Sequence, residues 1–136
     1  MKLVSSSQKS LLETKTKPSK MTNLVTEFNA YRSRMNEELL AEASTTLKRI
    51  FNLDQSAYQE GALDVATKEL LGLVASTVLR CDDCIKYHLE NCHKEKLSKK
   101  AVMEALEIAT VVGGSIVIPH LRRAYEYWSQ LESNAK

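Results

Sequence analysis

A chain of 136 residues, 43% hydrophobic and 26% charged, is of single-domain size, large enough to bury a core and small enough to gain from oligomerisation. Its formal net charge of +2 is uneven: residues 1–20 hold five lysines against one glutamate, +4, which leaves −2 on the remainder. There is no basic stripe with interleaved aromatics, no run near the roughly 18 apolar residues of a membrane span and no hydrophobic segment after Val4 for a signal peptide, so neither nucleic acid nor membrane is an expected partner and a cytoplasmic location is expected.

Four glycines and two prolines are the only strong punctuation, and strand-type alternation is rare, so an all-α fold is expected. Residues 1–20, rich in Ser, Thr and Lys, bury little and read as a flexible basic tail; a single helical domain is expected over residues 21–136. From an N-cap at Thr22 or Asn23, apolar residues recur at Leu24, Phe28, Tyr31, Met35, Leu39, Ala43, Leu47 and Ile50. Steps of four and three predict one amphipathic helix reaching to about Phe51, packed on its own domain or on a subunit partner rather than in a free coiled coil. Asn52 to Ser56 then reads as a polar joint, and Ala57 to Gly61 as a short helix or turn.

Asp64 is placed to cap a helix carrying Leu70, Leu71, Leu73, Val74, Val78 and Leu79, an apolar run of about four turns with one carboxylate, Glu69, riding on it. Burying an unpaired charge is costly, so Glu69 is either a snorkelling surface residue or a buried carboxylate with a role. Arg80 to Asp83 reads as a tight joint, its aspartates favouring a new helix N-terminus, and the next helix runs to about Lys94. Cys81, Cys84 and His88 stand at i, i+3 and i+7, which puts two thiols and an imidazole on one stripe. Cysteines three apart at a helix start fall within the roughly 4.4–6.8 Å Cα separation a disulfide requires, and the helix terminus and an imidazolium both activate thiols. If the two helices fold back on each other near Arg80, Glu69 and His88 lie at similar depth, where a carboxylate can orient an imidazole or accept a proton.

Cys92 shares the stripe, but the rise from Cys81 to Cys92 is about 16 Å, too far for one zinc ion, so no metal site is expected. Three cysteines, one of them odd, do not make the paired framework of a secreted scaffold. Cys92 and His93 read as incidental. Ser98 is the expected N-cap of a helix through Val102, Ala105, Leu106 and Ala109, stopped at Gly113 and Gly114. Ser115 to Leu131 form the last helix, with Pro119 tolerable only in its first turn or as a kink. His120 reads as a capping or packing residue, and Tyr125, Tyr127 and Trp128 as core or interface aromatics.

Lys68-Glu69-Leu70, then Cys81-x-x-Cys84-x-x-x-His88, then Leu97-Ser98 opening another helix, resembles the alkylhydroperoxidase D / carboxymuconolactone decarboxylase family, over about residues 60 to 125. The resemblance implies a compact multi-helix domain that is homo-oligomeric, a trimer or hexamer, and that reduces hydroperoxides with Glu69, Cys81, Cys84 and His88. It implies no bound cofactor and an external dithiol reductant, a protein or a lipoyl-type donor. Two positions depart from the family pattern. Asp83 stands between the cysteines where some peroxidase members carry a second histidine, and Lys96 stands where many have a helix-ending glycine. On physical grounds alone the attacking sulfur is open, because the helix dipole favours Cys81 while His88, four residues beyond Cys84, favours Cys84. The family uses the second cysteine, which implies that Cys84 attacks and Cys81 resolves. The alternatives are a lactone decarboxylase or isomerase of the same fold, for which the cysteines would be dispensable, and a non-enzymatic redox-sensing protein.

Overall fold

Side-chain caps set the helix boundaries of this chain. In the computed structural model, which describes residues 22–136, Asn23 opens α1 (Leu24–Glu42) by accepting from the Thr26 amide at 3.1 Å. Ser44 opens α2 (Thr45–Ala57), and Asp64 opens α3 (Val65–Val78) by accepting from Thr67 at 2.7 Å. Cys81, through its sulfur, opens α4 (Asp82–Lys94), and Ser98 opens α5 (Lys99–Gly113). A 3-10 turn, Ser115–Val117, leads into α6 (Ile118–Asn134), whose first turn takes Pro119 because a proline there lacks only an N–H that has no helical partner. Among the described residues there is no strand, and no helix is long and apolar enough to cross a membrane. The tail expected over residues 1–20 lies outside the described residues.

The expected single helix from Leu24 to Phe51 is two helices. Ala43 and Ser44 are extended (ψ 140° and 164°), and the Ser44 side chain caps a fresh start at Thr45. The apolar spacing continues across the break, so periodicity does not register it; the Ser-Thr-Thr cluster, which competes with the helix for backbone hydrogen bonds, marks it. The polar joint expected over Asn52 to Ser56 is the last part of α2, its polar side chains facing solvent and Ser56 Oγ bonded back to the Asn52 carbonyl at 2.8 Å. Backbone direction then changes in the turn after Ala57.

Two tight helix ends place the site. After α3, Arg80 takes a left-handed conformation (φ 60°), and the Arg80 and Cys81 amides bond the Thr77 and Ser76 carbonyls at 3.0 Å. After α4, Lys96 does the same (φ 58°), with Lys96 and Leu97 bonded to His93 and Cys92. This pair of bonds is the Schellman arrangement, which glycine normally serves. Lys96, where the family's glycine is expected, adopts the glycine conformation nonetheless.

The α3 and α4 helices fold back on each other, α5 covers α3, and α6 crosses α4 and receives α1. Leu73, Ile85, Leu89, Cys92, Val102, Leu106 and Tyr127 are sealed between them. At about 1.5–3 kcal/mol for each large apolar side chain, this cluster outweighs any surface interaction in holding α4 in place. Inside it, Glu90 accepts from the Tyr127 hydroxyl and from Asn29 at 2.9 Å, joining α4 to α6 and α1. Of the aromatics expected in a core or an interface, Tyr127 and Trp128 are in the core, Trp128 beside His93, whereas Tyr125 is surface-exposed with its hydroxyl near Lys99. By contrast α2 buries none of its residues in this chain.

Candidate active site

Glu69 sits in the middle of α3 with 3% of its surface exposed, so the buried reading of this carboxylate applies rather than the snorkelling one. Both oxygens are occupied: Oε2 is 2.7 Å from His88 Nδ1, and Oε1 accepts from the Asn91 amide at 3.2 Å. A buried carboxylate is tolerated only when paired and hydrogen-bonded in this way. His88 and Asn91 are three apart on α4 and present one face, so a single helix supplies both partners. With Nδ1 turned to Glu69, the imidazole points Nε2 to its other side.

Cys81 and Cys84 are joined as a disulfide across a Cα separation of 5.3 Å. Cys81 is the N-cap of α4 and half-buried; Cys84 is exposed in its first turn. Cys84 and His88, one turn apart, share the wall of a cavity of about 350 Å³ with Phe28, Arg32 and Met35 of α1 and with Tyr87. Cys81 is not part of that wall. Thus the structure brings Glu69, His88 and Cys84 into one continuous arrangement, with Cys81 behind the exposed sulfur. Cys92 is fully buried in the core, and burial together with the charge on Glu69 pushes its thiol up to about 12.

Three features of the site were not read from the sequence. Tyr58, in the turn after α2, lays its ring on His88 (centroids 5.2 Å apart) with its hydroxyl 3.5 Å from Nε2. Gly72 of α3 leaves the space in which that meeting occurs, since a Cβ there would stand 2.5 Å from His88 Cε1 and 2.7 Å from the Tyr58 hydroxyl. A glycine interrupting an apolar helix signals such a close approach, whereas nothing local announces Tyr58. The third feature is a clamp on the first residue of α4. Asp82 lies 2.7 Å from His120 Nδ1 and 3.0 Å from Arg123 Nε, so α6 grips the turn that carries the cysteines. Partial burial disfavours ionisation of Asp82, but the hydrogen bonds from His120 and Arg123 outweigh it and hold the carboxyl below its usual range.

Fold and site together define an all-helical domain that carries a cysteine pair at a helix N-terminus above a buried carboxylate–imidazole dyad. The chain belongs to the carboxymuconolactone decarboxylase family, whose model matches residues 45–127. A protein of Thermotoga maritima is 55% identical, and its crystal structure superimposes with a TM-score of 0.79 over 81% of this chain and 96% of that one. That protein, for which a part in the antioxidative response has been raised as a possibility, is itself a member of the family. A Legionella pneumophila family member, 22% identical, shares the fold with a TM-score of 0.74 over 80% of this chain and 97% of the other. Among curated relatives, an uncharacterised protein of the cox locus of Paracoccus denitrificans is 25% identical over 59% of this chain and 72% of its own length. Alkyl hydroperoxide reductase AhpD of Corynebacterium kroppenstedtii is 34% identical over 62 residues, 46% of this chain and 36% of that protein.

Proposed function

We propose that the protein is a thiol-dependent peroxidase that reduces hydroperoxides with Cys84 as the attacking sulfur, Cys81 as the resolving one, and Glu69 and His88 handling the proton. The observation that carries this reading is the placement of Cys84, exposed at the start of α4, in the same cavity wall as His88, itself backed by the buried Glu69. The amide dipoles at the start of α4 favour a thiolate there once the disulfide is reduced. The nearby aspartates oppose this only partly, since Asp82 is neutralised by His120 and Arg123, and Asp83 is exposed beside Lys86.

In the cycle His88 Nε2 takes the proton of the reduced Cys84 thiol, the thiolate attacks the distal peroxide oxygen, the O–O bond breaks, and the departing alkoxide takes that proton from His88 to leave as alcohol. Cys84 is then a sulfenic acid, which Cys81 attacks to form the disulfide with loss of water. An external dithiol, a protein or a lipoyl-type donor, returns two electrons and two protons by thiol–disulfide exchange. Each turn converts one hydroperoxide and one external dithiol into alcohol, water and the external disulfide, with no bound cofactor needed. The kinship with an alkyl hydroperoxide reductase supports the reading.

The proposal also takes the active form as a cytoplasmic homo-oligomer, a trimer or hexamer. Its support is α2, an amphipathic helix with no buried residue that leaves Ile50 and Leu53 open, and the exposed Val111 and Val112 of α5. Sedimentation equilibrium tests it, and a monomer at micromolar concentration removes that part. For the activity, hydroperoxide consumption is measured with a panel of dithiols. Consumption that needs both a dithiol and an unalkylated Cys84 supports the reading. Turnover of a lactone with both cysteines alkylated would replace it with the decarboxylase or isomerase alternative, and reversible oxidation without turnover with the redox-sensing one.

A further inference from the structure

His88 has one nitrogen committed and one to be accounted for. Nδ1 gives its proton to Glu69 at 2.7 Å, so in the neutral ring Nε2 is an acceptor, and His88 is only 7% exposed. Its attacking partner is out of play here, because the Cys84 sulfur is bonded to Cys81 and has no proton to offer. The group that faces Nε2 instead is the Tyr58 hydroxyl, at 3.5 Å. The contact is built into the fold: the ring of Tyr58 packs on the imidazole, and Gly72 beneath them lacks the Cβ that would occupy the same space.

We propose that Tyr58 is a positioning residue that holds His88 Nε2 while Cys84 is tied up in the disulfide and yields it to the Cys84 thiol on reduction. The inference rests on the peroxidase reading for its purpose. A separation of 3.5 Å is at the outer limit of a hydrogen bond, which suits a partner that must be displaced rather than one that locks the ring. Burial and the negative charges of Asp54 and Glu69 hold the Tyr58 phenol above its ordinary range, so the hydroxyl keeps its proton and remains a donor. Without it, Nε2 in the disulfide state is a buried acceptor with nothing aimed at it, whereas in the dithiol state Cys84 takes the place. Removing the hydroxyl therefore costs the disulfide form more than the dithiol form.

The test is the thiol–disulfide equilibrium of purified full-length protein against dithiothreitol and its cyclic disulfide, read by trapping free thiols, for wild type and Tyr58→Phe. A lost neutral hydrogen bond of ordinary size moves the equilibrium toward dithiol about 2- to 12-fold. A merely structural role weakens both redox forms alike and leaves it unmoved. No shift, or a shift toward disulfide, overturns the proposal. Should Tyr58→Phe fail to fold, nitrogen-15 spectra of the His88 ring in the wild-type protein give the answer without a variant. Nδ1 should stay protonated in both states while the Nε2 resonance moves on reduction; an Nε2 resonance identical in the two states sinks the exchange. Neither measurement consumes peroxide, so a protein with no peroxidase activity could still pass both.

Discussion

Substituting Glu69 by glutamine keeps the shape of the α3 side chain and removes its charge. In the native site two donors converge on one carboxylate, His88 Nδ1–H at 2.7 Å and the Asn91 amide at 3.2 Å, and each has its own oxygen. Glutamine offers one oxygen and one NH2. Whichever way the amide turns, one donor meets an NH2, or the imidazole must adopt the other tautomer and present Nε2–H to the cavity. Losing a charge-assisted hydrogen bond costs about 1.5–3 kcal/mol. If the dyad sets the protonation and orientation of His88 in the transition state, the rate of disulfide formation falls about 10- to 150-fold. The assay is single-turnover: reduced protein is mixed with one equivalent of an organic hydroperoxide, and free thiols are counted after rapid quenching. The same protein should lose about 1–3 kcal/mol of stability to urea from the orphaned donor. A rate within about twofold of wild type, with the stability loss present, would show that Glu69 and His88 brace α3 against α4 and take no part in the chemistry.

Cys84→Ser should abolish sulfenic acid formation, whereas Cys81→Ser should form it with one peroxide equivalent and stall; dimedone trapping on both variants decides, and sulfenic acid at Cys81 in the Cys84→Ser protein reverses the roles. Lys96→Gly should stabilise the fold by about 1 kcal/mol, since the left-handed backbone at φ 58° strains a residue with a side chain and not glycine, and a lower thermal midpoint would refute this. Asp82→Asn should lower the thermal midpoint at pH 7 and lose its effect in acid. The folded-state titration of Asp82 lies below the unfolded one, so its stabilisation is present above the ordinary carboxylate range near about 3.9 and disappears as pH falls through the folded value. A penalty that persists unchanged at pH 2 would mean that the clamp by His120 and Arg123 acts through packing.

The parts of this molecule legible in the sequence are those fixed by spacing along one helix or across one short turn. Glu69 and His88 could be paired in advance because a turn at Arg80 leaves two helices at matched depth, and caps such as Asp64 and Ser98 are decided by the local competition of a side chain with the helix. The break at Ala43 and Ser44 was hidden because the two helices keep the same apolar rhythm through it. Tyr58 was hidden for a different reason. Its approach to His88 depends on the path of the whole Tyr58–Asp64 turn and on the missing Cβ of Gly72, and neither α2 nor α3 by itself implies where that turn leads. The Asp82 clamp is likewise a contact between residues 38 apart, made by α6 returning over α4.

The division of labour between α3 and α4 bears on which chemistry this scaffold can host. Glu69 and His88 are held by packed helix faces and are nearly closed to solvent, with the half-buried Asn91 beside them. Cys81 and Cys84, by contrast, stand at a helix terminus, Cys81 as its N-cap and Cys84 exposed in its first turn. On the proposed reading the dyad is an acid–base device that would serve any substrate able to enter the cavity beside Tyr87 and Arg32, and the sulfur pair adds redox chemistry to it. The clamp on Asp82 ties the turn that carries the cysteines to α6. The proposed cycle, which breaks and reforms a bond at each turnover, would use a buried proton site next to an exposed sulfur, and the boundary between the two falls within α4, between Cys84 and His88.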